Sequence, residues 1–459
     1  MRSAAWLEAW TGGRRAVHIG DVADFNAQFI PQTDLTRRQG HHYSCLAAFY
    51  SPHPALLVLP HQVEEGWTRL LERELDWSAV ELHSGLAGDG DLMAAALAAR
   101  PALRQRIDGL GLPIHRWGRS GATGSADRAR SGAEPGPGSG SGAGPDPRLA
   151  AVRRYEAKDH SHALFARLAP AHPGIHVPAQ QAVRPGRRLA RLIAGQAARG
   201  RPTVLKARHG VGGFGTAVLT PEQIAAAGGA GPLLRALIGQ RILPAGADLL
   251  VEEYVPGGGR LRHPSFDGLV DQDGGVHPVG VALMAVEGTG YRGATVGPGL
   301  LPEQLATTAV AFGLAVGREL AAAGHRGWYE VDFVTGRDGR LSPTETNLRL
   351  TGPAVAFLLK ARLDAVRGPG HLVRTVDQLP LGARLGQQAL LAHLERVAVR
   401  CARFGALLLP TIPTAGFDPA PTVGIALAAT DHDALDAAEA VTRAANLALG
   451  DPFTPLDVD

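Results

Sequence analysis

Cysteine is almost absent from this 459-residue chain, in which only Cys45 and Cys401 occur. Two thiols are too few for a disulfide framework or a cysteine-rich zinc site, and singly they read as small buried hydrophobes. An unbroken apolar leader is missing as well, because Trp6, Glu8 and residues 12–15 interrupt the first seventeen positions. A reducing, cytoplasmic home is therefore expected. Apolar runs are cut by charge or glycine before the roughly 18 residues that a membrane helix needs. Hydrophobic residues nonetheless make up 45% and charged residues 19%, which excludes a wholly disordered chain and leaves material for sizeable cores. At roughly 150 residues per domain the length suggests about three domains.

Lysine is the second scarcity. Of 46 basic residues only Lys158, Lys206 and Lys360 are lysines. With abundant alanine, glycine and proline, this is the bias a GC-rich genome imposes, and under it an ordinary surface charge drifts to arginine. A lysine that persists marks a place where a compact ammonium is useful. The formal net charge of +3 is near balance. No basic cluster or nucleic-acid motif stands out, so nucleic acid is not an expected partner.

Residues 17–115 alternate between strand and helix signals, with a short apolar strand at 55–59 and amphipathic helices at 63–75 and 92–103. This predicts a small α/β domain over residues 1–117. Residues 118–148 then change character: 23 of 31 are Gly, Ser, Ala or Pro, and no large apolar residue occurs. Such a stretch buries too little surface to offset its ordering entropy, which predicts a flexible linker. From 149 to 358 the pattern is strand-rich with glycine turns. Strands are expected at 202–207, 216–219, 248–255, 280–286, 328–335 and 340–348. Helices are expected at 303–323 and from Pro221. Residues 359–459 form a third, small α/β unit, with helices at 387–404 and 432–445 and strands at 405–409 and 422–428.

Three motifs carry chemistry. Gly210, Gly212 and Gly215 spell G-x-G-x-x-G after a strand, and Gly213 adds a fourth glycine. A dinucleotide-binding turn must pass straight into a helix, whereas a strand follows here. A protein kinase needs its lysine downstream and an H-R-D-L loop, whereas Lys206 lies upstream and His325-Arg326-Gly327 lacks the aspartate. What remains is a glycine-rich hairpin whose N–H groups cover polyphosphate beside Lys206, or a surface turn with no ligand.

The second motif, GWYEVDFVTGRDGRLSPTETNLRLTG, reads as two strands joined by a turn at 336–339. Residues two apart on a strand share a face, so Glu345, Asn347 and Arg349 point together. Pairing Thr335 with Arg340 brings Asp332 to that face, and a one-residue slip would remove it. Pro343 has no N–H and must sit at an edge or a bulge. Hard oxygen donors of this kind suit Mg²⁺, and a neighbouring arginine suits a transferring phosphoryl group. A solvated charged hairpin is the plainer alternative. The third motif, LLVEEYVPGG, is an apolar strand ending in Glu252, Glu253, Tyr254 and Val255, and by itself it is only a strand end.

Lysine, glycine hairpin, VEEYV and acidic hairpin, in that order, resemble the ATP-grasp ligase superfamily over about residues 154–351. The segment YEAKDHSHALF, with Lys158 opening a helix, is similar to the entry of that domain. The resemblance implies an α/β fold: a pre-ATP-grasp α/β domain, a central ATP-grasp domain with a mobile lid, and a small C-terminal domain. It implies that Lys158 and Lys206 contact ATP phosphates and that Gly210, Gly212, Gly213 and Gly215 close over them. Glu252, Glu253, Tyr254 and Val255 would border the adenine. Asp332, Glu345 and Asn347 would hold Mg²⁺, with Arg349 at the reacting phosphate and Arg292 on an acceptor carboxylate.

Together with its flanks the chain is similar to the family of the peptide ligase of pheganomycin biosynthesis. Those relatives continue past Asn-Leu-Arg with Gly-Gly-Thr-Thr-His. Here the run is LTGPAVAF, a departure at the acceptor side that leaves the substrate open. The implied activity is ATP- and Mg²⁺-dependent joining of an amino-acid or guanidino-acid carboxylate to an amine or peptide, in specialised (antibiotic-type) peptide biosynthesis. An ATP-grasp phosphotransferase and a non-catalytic ATP-binding module are the alternatives. A small carboxylic acid and an amine or peptide are the expected partners, with no nucleic acid and no membrane, and a homodimer is left open. His160, His162, His41 and His42 are expected as ordinary surface histidines.

Overall fold

A computed structural model describes residues 5–88, 90–121, 146–259 and 261–450. Most of the expected 118–148 linker therefore lies outside the described residues. The chain divides into two compact units. The first comprises residues 1–143, 292–300 and 349–459, and the second comprises 144–291 and 301–348.

The N-terminal part of the first unit is a parallel sheet in the order Glu81–His83, Pro54–Val58, Ala16–Ile19, Ile114–Arg116. Its two inner strands are almost wholly buried, as expected of a parallel sheet covered on both faces. Val17, Ile19, Leu56 and Val58 pack there against Met93, Leu97 and Ile107. The helix expected at 92–103 is two helices, Met93–Ala98 and Pro101–Gly109. Pro101 disfavours helical geometry at Arg100 and then starts the next helix at its first turn.

The C-terminal part of the first unit pairs Thr422–Ala429 antiparallel with both Leu372–Pro380 and Leu407–Ile412. Helices Gln387–Ala402 and His432–Ala448 bury Leu390, Leu394, Cys401 and Leu435 in the same core. Asp431 caps the second helix by accepting the Ala434 N–H at 2.8 Å.

The second unit contains two antiparallel sheets. One has the order Gln180–Val183, Leu249–Glu253, Thr203–Ala207, Thr216–Leu219. Helices Arg187–Ala197, Pro221–Ala226 and Ala230–Gly239 share its core. Thr220 begins the middle helix with a capping box to Gln223, and Pro221 follows at the first turn. Four neighbouring strands of the other, larger sheet run Leu341–Asn347, Gly327–Thr335, Pro264–Val270, Val276–Glu287. Helix Glu303–Ala322 packs on it through Ala309, Phe312, Gly313, Val316, Gly317 and Leu320, which are spaced as one helical face. Gly313 and Gly317 leave room for the Phe266 and Tyr329 rings, which a Cβ at either position would enter.

Against expectation, this helix is long and apolar enough to cross a membrane by length and composition. A core helix packed against a sheet passes the same test.

Candidate active site

The acidic hairpin forms as expected, but its register differs from the simplest pairing. Thr335 pairs with Leu341 rather than Arg340, and the slip continues through Val334–Ser342 and Phe333–Pro343. Continued unbroken, it would set Asp332 opposite Thr344. A bulge between Asp332 and Phe333 takes up Thr344 as the extra residue. Asp332 then faces Glu345 and Glu330 faces Asn347. Pro343 lies beside this bulge on the terminal strand of the sheet, where its missing N–H costs no ladder bond.

The Asn347 amide fastens the face together. Its Nδ2 donates to Glu330 Oε2 at 3.0 Å and to Asp332 Oδ2 at 3.2 Å, which leaves the carboxamide oxygen as its acceptor. Glu330 is nearly fully buried. Pro264–Val270 pairs on the other side of the same strand, with Asp267 opposite Glu330 and Ser265 opposite Asp332. Both are wholly buried, and the Trp328 indole donates to Asp267 Oδ1 at 2.8 Å. Sequence reasoning missed Asp267 and Ser265 because that strand was not expected. The available signal was the alternation Ser265, Phe266, Asp267, which is polar on every second residue.

Two lysines meet the acidic groups of the second unit. Lys158 opens helix Lys158–Leu168, and its ammonium pairs with Glu345. Its backbone N–H donates to the Arg208 carbonyl at 2.9 Å, which ties the helix start to the glycine-hairpin strand. Lys206 lies on strand Thr203–Ala207, with Nζ 2.7 Å from Glu252 Oε1 and 3.4 Å from the Thr344 carbonyl. Lys158 and Lys206 are 5% and 6% exposed, so each ammonium is buried against the carboxylate that pairs with it. Glu252 is held in turn by Gln180 Nε2 at 2.8 Å. Lys360, the third lysine, lies in the first unit and pairs with Asp364.

The glycine segment is a hairpin loop that passes into strand Thr216–Leu219, as expected. Gly212, Gly213 and Gly215 have φ of +59°, +89° and +79°, where a side chain is strained. A Cβ on Gly213 would also run into the Thr289 carbonyl on the neighbouring turn. Within the loop, the Ala207 N–H donates to the Gly215 carbonyl at 2.6 Å.

At the end of the VEEYV strand, Glu253 accepts from the Ala179 N–H at 3.3 Å. Arg262 lies 5.9 Å from the Tyr254 ring centre and donates to the carbonyls of Val255 and Thr335. Next to it, His263 is pushed down to about 4, chiefly by burial and then by the Arg262 charge.

Arg292 and Arg349 belong to the first unit. Arg349 is buried, with its guanidinium 5.4 Å from the centre of the Phe25 ring and its backbone bridging to Gly118. Arg292 donates to Gln378 Oε1 at 2.8 Å.

Four histidines were expected at the surface. His160 and His162 are spent on the Arg154 and Pro178 carbonyls. His41 and His42 are instead buried, because the last turn of helix Asp34–Tyr43 packs inward. His42 bonds Thr414 Oγ1 at 2.8 Å, stacks on His61 and lies 3.2 Å from Asp418. Burial and then His61 push it down to about 4. Among the described residues no three His, Cys, Asp or Glu side chains form a metal-holding group. Asp332, Glu345 and Asn347 include only two residues of those types.

No family model and no curated protein matches the sequence. Solved structures do. The N5-carboxyaminoimidazole synthetase from Staphylococcus aureus complexed with ADP aligns with a TM-score of 0.52 at 13% identity, covering 94% of this chain and 97% of that one. The biotin carboxylase–β,γ-ATP complex from Campylobacter jejuni aligns with 0.52 at 12% identity, covering 95% of each chain. The carboxyaminoimidazole ribonucleotide synthase from Aspergillus clavatus complexed with ATP aligns with 0.50 at 14% identity, covering 86% and 99%. At such identities the likeness is one of fold, and it runs through most of the chain: this protein has the ATP-grasp fold.

Proposed function

We propose that the protein is an ATP- and Mg²⁺-dependent ligase that joins a carboxylate to an amine through an acyl phosphate. The observation that carries this reading is the charge arrangement of the second unit. Two buried lysines stand on Glu345 and Glu252, beside a hairpin face of Asp332, Glu345 and Asn347. Buried ammonium groups of this kind are suited to a polyphosphate. The like-folded S. aureus and A. clavatus proteins were solved with ADP and ATP, which supports the nucleotide. Magnesium suits the hairpin by donor chemistry, because Asp332, Glu345 and the Asn347 carboxamide supply hard oxygens. Lys158 already places a positive charge on Glu345.

In this reading the substrate carboxylate attacks the γ-phosphorus, giving an acyl phosphate and ADP. The amine then attacks the carbonyl carbon, and phosphate leaves. A carboxylate repels a triphosphate, so Lys158 and Lys206 offset the charge where they meet. Bound magnesium adds positive charge at the same phosphates. The loop bearing Gly210, Gly212, Gly213 and Gly215 covers the phosphates with N–H groups and keeps water from the acyl phosphate. Glu252, Glu253, Tyr254 and Val255 border the base. By resemblance Arg349 serves the reacting phosphate and Arg292 an acceptor carboxylate.

The finer reading is an amino-acid or guanidino-acid donor, a peptide or amino-acid acceptor, and specialised peptide biosynthesis in the cytoplasm. The division into 1–117, a 118–148 linker, 149–358 and 359–459 belongs to the same proposal.

Hydroxylamine trapping tests it. Enzyme, MgATP and a panel of amino, guanidino and peptide acids are assayed for hydroxamate and ADP, with Glu345→Ala as control. Hydroxamate that depends on the acid and disappears in the variant supports the ligase and names its donor. ADP without hydroxamate moves the reading to phosphotransfer, and ATP binding without turnover moves it to a binding module.

A further inference from the structure

The small sheet of the second unit carries a charge that the nucleotide chemistry does not use. Between residues 179 and 247, besides Lys206, there are nine arginines and one acidic residue, Glu222. Codon drift explains arginine in place of lysine, but it does not remove aspartate and glutamate. Six of these arginines fall within residues 184–201, a basic cluster that the near-balanced charge of the whole chain hides and that was not expected. Arg184, Arg187, Arg188, Arg191, Arg199 and Arg201 are all exposed, on or flanking helix Arg187–Ala197. Among the described residues none has an acidic partner. Arg191 and Arg199 reach only the backbone carbonyls of Arg187 and Gly195. Arg187 and Arg188 lie four and three residues before Arg191, so the three share one stripe and repel one another.

The stripe lies on the side of the sheet away from the buried lysine. Leu205 and Val251 point into the core with Leu189 and Ile193 of this helix. Strand alternation therefore sends Lys206 and Glu252 to the opposite face. The helix turns its apolar residues inward and its arginines outward.

We infer that this arginine face is a docking surface for an acidic polypeptide segment. Guanidinium forks match carboxylates two oxygens at a time. Between the arginines stand Pro185, Gly186, Ala194, Ala198 and Gly200, small residues that let an extended backbone approach closely. Residues 184–201 contain no aromatic side chain for stacking on bases. They contain no Ser, Thr, Asn or Tyr for phosphate contacts, and Gln196 is their one uncharged polar residue. A membrane surface needs apolar residues beside the charges, and here Leu189 and Ile193 are buried. The inference stands independently of the ligase reading.

The test is fluorescence anisotropy on the full chain with a labelled glutamate-rich 12-residue peptide. A 20-base-pair DNA duplex and anionic vesicles serve as competitors. Saturable peptide binding is expected at low salt, and it weakens steeply as salt rises. The triple variant Arg187→Glu/Arg188→Glu/Arg191→Glu should bind at least about tenfold more weakly, with ATP-analogue binding unchanged. A matching Arg→Gln triple variant gives the same direction with less disturbance should the reversal misfold. Absence of peptide binding, affinity indifferent to both variants, or preference for DNA or vesicles over the peptide overturns the inference.

Discussion

Two lysine–carboxylate pairs in the second unit and three buried groups in the first handle charge in opposite ways. In the second unit the buried charges stay paired, Lys206 on Glu252 and Lys158 on Glu345. In the first unit three buried groups, one of them 3.2 Å from Arg116, are driven towards their uncharged forms. Burial pushes His115 down to about 4 and pushes Asp21 and Asp377 up to about 6. A neutral buried group is consistent with a packing role alone. Charges kept in a dry interior are costly, and a hydrophobic pair of the same size would often be at least as stable. Such pairs make sense where they serve a charged ligand, and that contrast can be broken experimentally.

The largest effect is expected on turnover. Glu345→Ala removes a carboxylate from the hairpin face and leaves Lys158 without its partner, so hydroxamate formation should fall by about a hundred- to a thousandfold. Turnover kinetics with the donor acid identified by trapping measure this. Next is stability. Glu252→Ala leaves the Lys206 ammonium buried and short of a counter-ion, which should cost about 3–5 kcal/mol in urea unfolding. The double variant Lys206→Met/Glu252→Leu should recover most of that stability while remaining inactive. Recovery of activity together with stability would show that the pair is structural, and the contrast between the units would collapse.

The first unit answers to pH instead. His115 stacks on Trp10, and its Nε2 has no hydrogen-bond partner. Its folded pKa, about 4, lies below the ordinary value of 6.5. The unfolded chain therefore takes up the proton first. Stability contributed by the neutral ring is whole above pH 6.5 and drains away as pH falls towards 4. Asp21 and Asp377 act in the other direction, since their ionisation above about 6 costs stability that is relieved on acidification. His115→Phe removes the histidine part alone. Relative to wild type, the variant should gain about 2 kcal/mol on going from pH 8 to pH 5. Melting curves at the two pH values check this, and a pH-independent difference would show that the ring is not held neutral.

The acidic hairpin was the most legible part of the chain, because a strand with Glu345 and Asn347 two apart fixes a face whatever its partner does. The bulge at Asp332 was not legible. It depends on how the turn at residues 336–340 closes, and the two one-residue slips add to two, which returns Asp332 to the expected face but opposite Glu345. Strand Pro264–Val270, and Asp267 with it, pairs with the next strand, Val276–Glu287, and with Gly327–Thr335 far along the chain, and its own run carries only the short alternation Ser265, Phe266, Asp267. Helix Gly352–Arg367 was hidden for another reason: TNLRLTG was read as the end of a motif. Thr351 as cap, accepting from the Ala354 N–H, and Pro353 in the first turn are nonetheless start signals present in the sequence. The arginine stripe shows how charge that averages away over 459 residues is concentrated by one helix.

The smallest effect tests whether the glycine loop belongs with the charged pairs or is only a turn. Gly213 combines a φ of +89° with a close approach to the Thr289 carbonyl. Alanine there must shift the loop or the Gly288–Gly290 turn, and either movement displaces N–H groups without touching a buried charge. Gly212 is the internal control: its φ of +59° is also positive, but no atom lies near its missing Cβ. Backbone strain alone costs about 1 kcal/mol at either position. If the loop only reverses the chain, Gly213→Ala should lose more stability than Gly212→Ala, because of the Thr289 clash, and both should leave KM for ATP alone. If it covers phosphates, Gly213→Ala should also raise that KM several-fold more than Gly212→Ala does, measured where both variants remain folded. The separation of KM from stability is what joins the loop to Lys158 and Lys206, since a turn of purely structural value has no means of sensing the nucleotide.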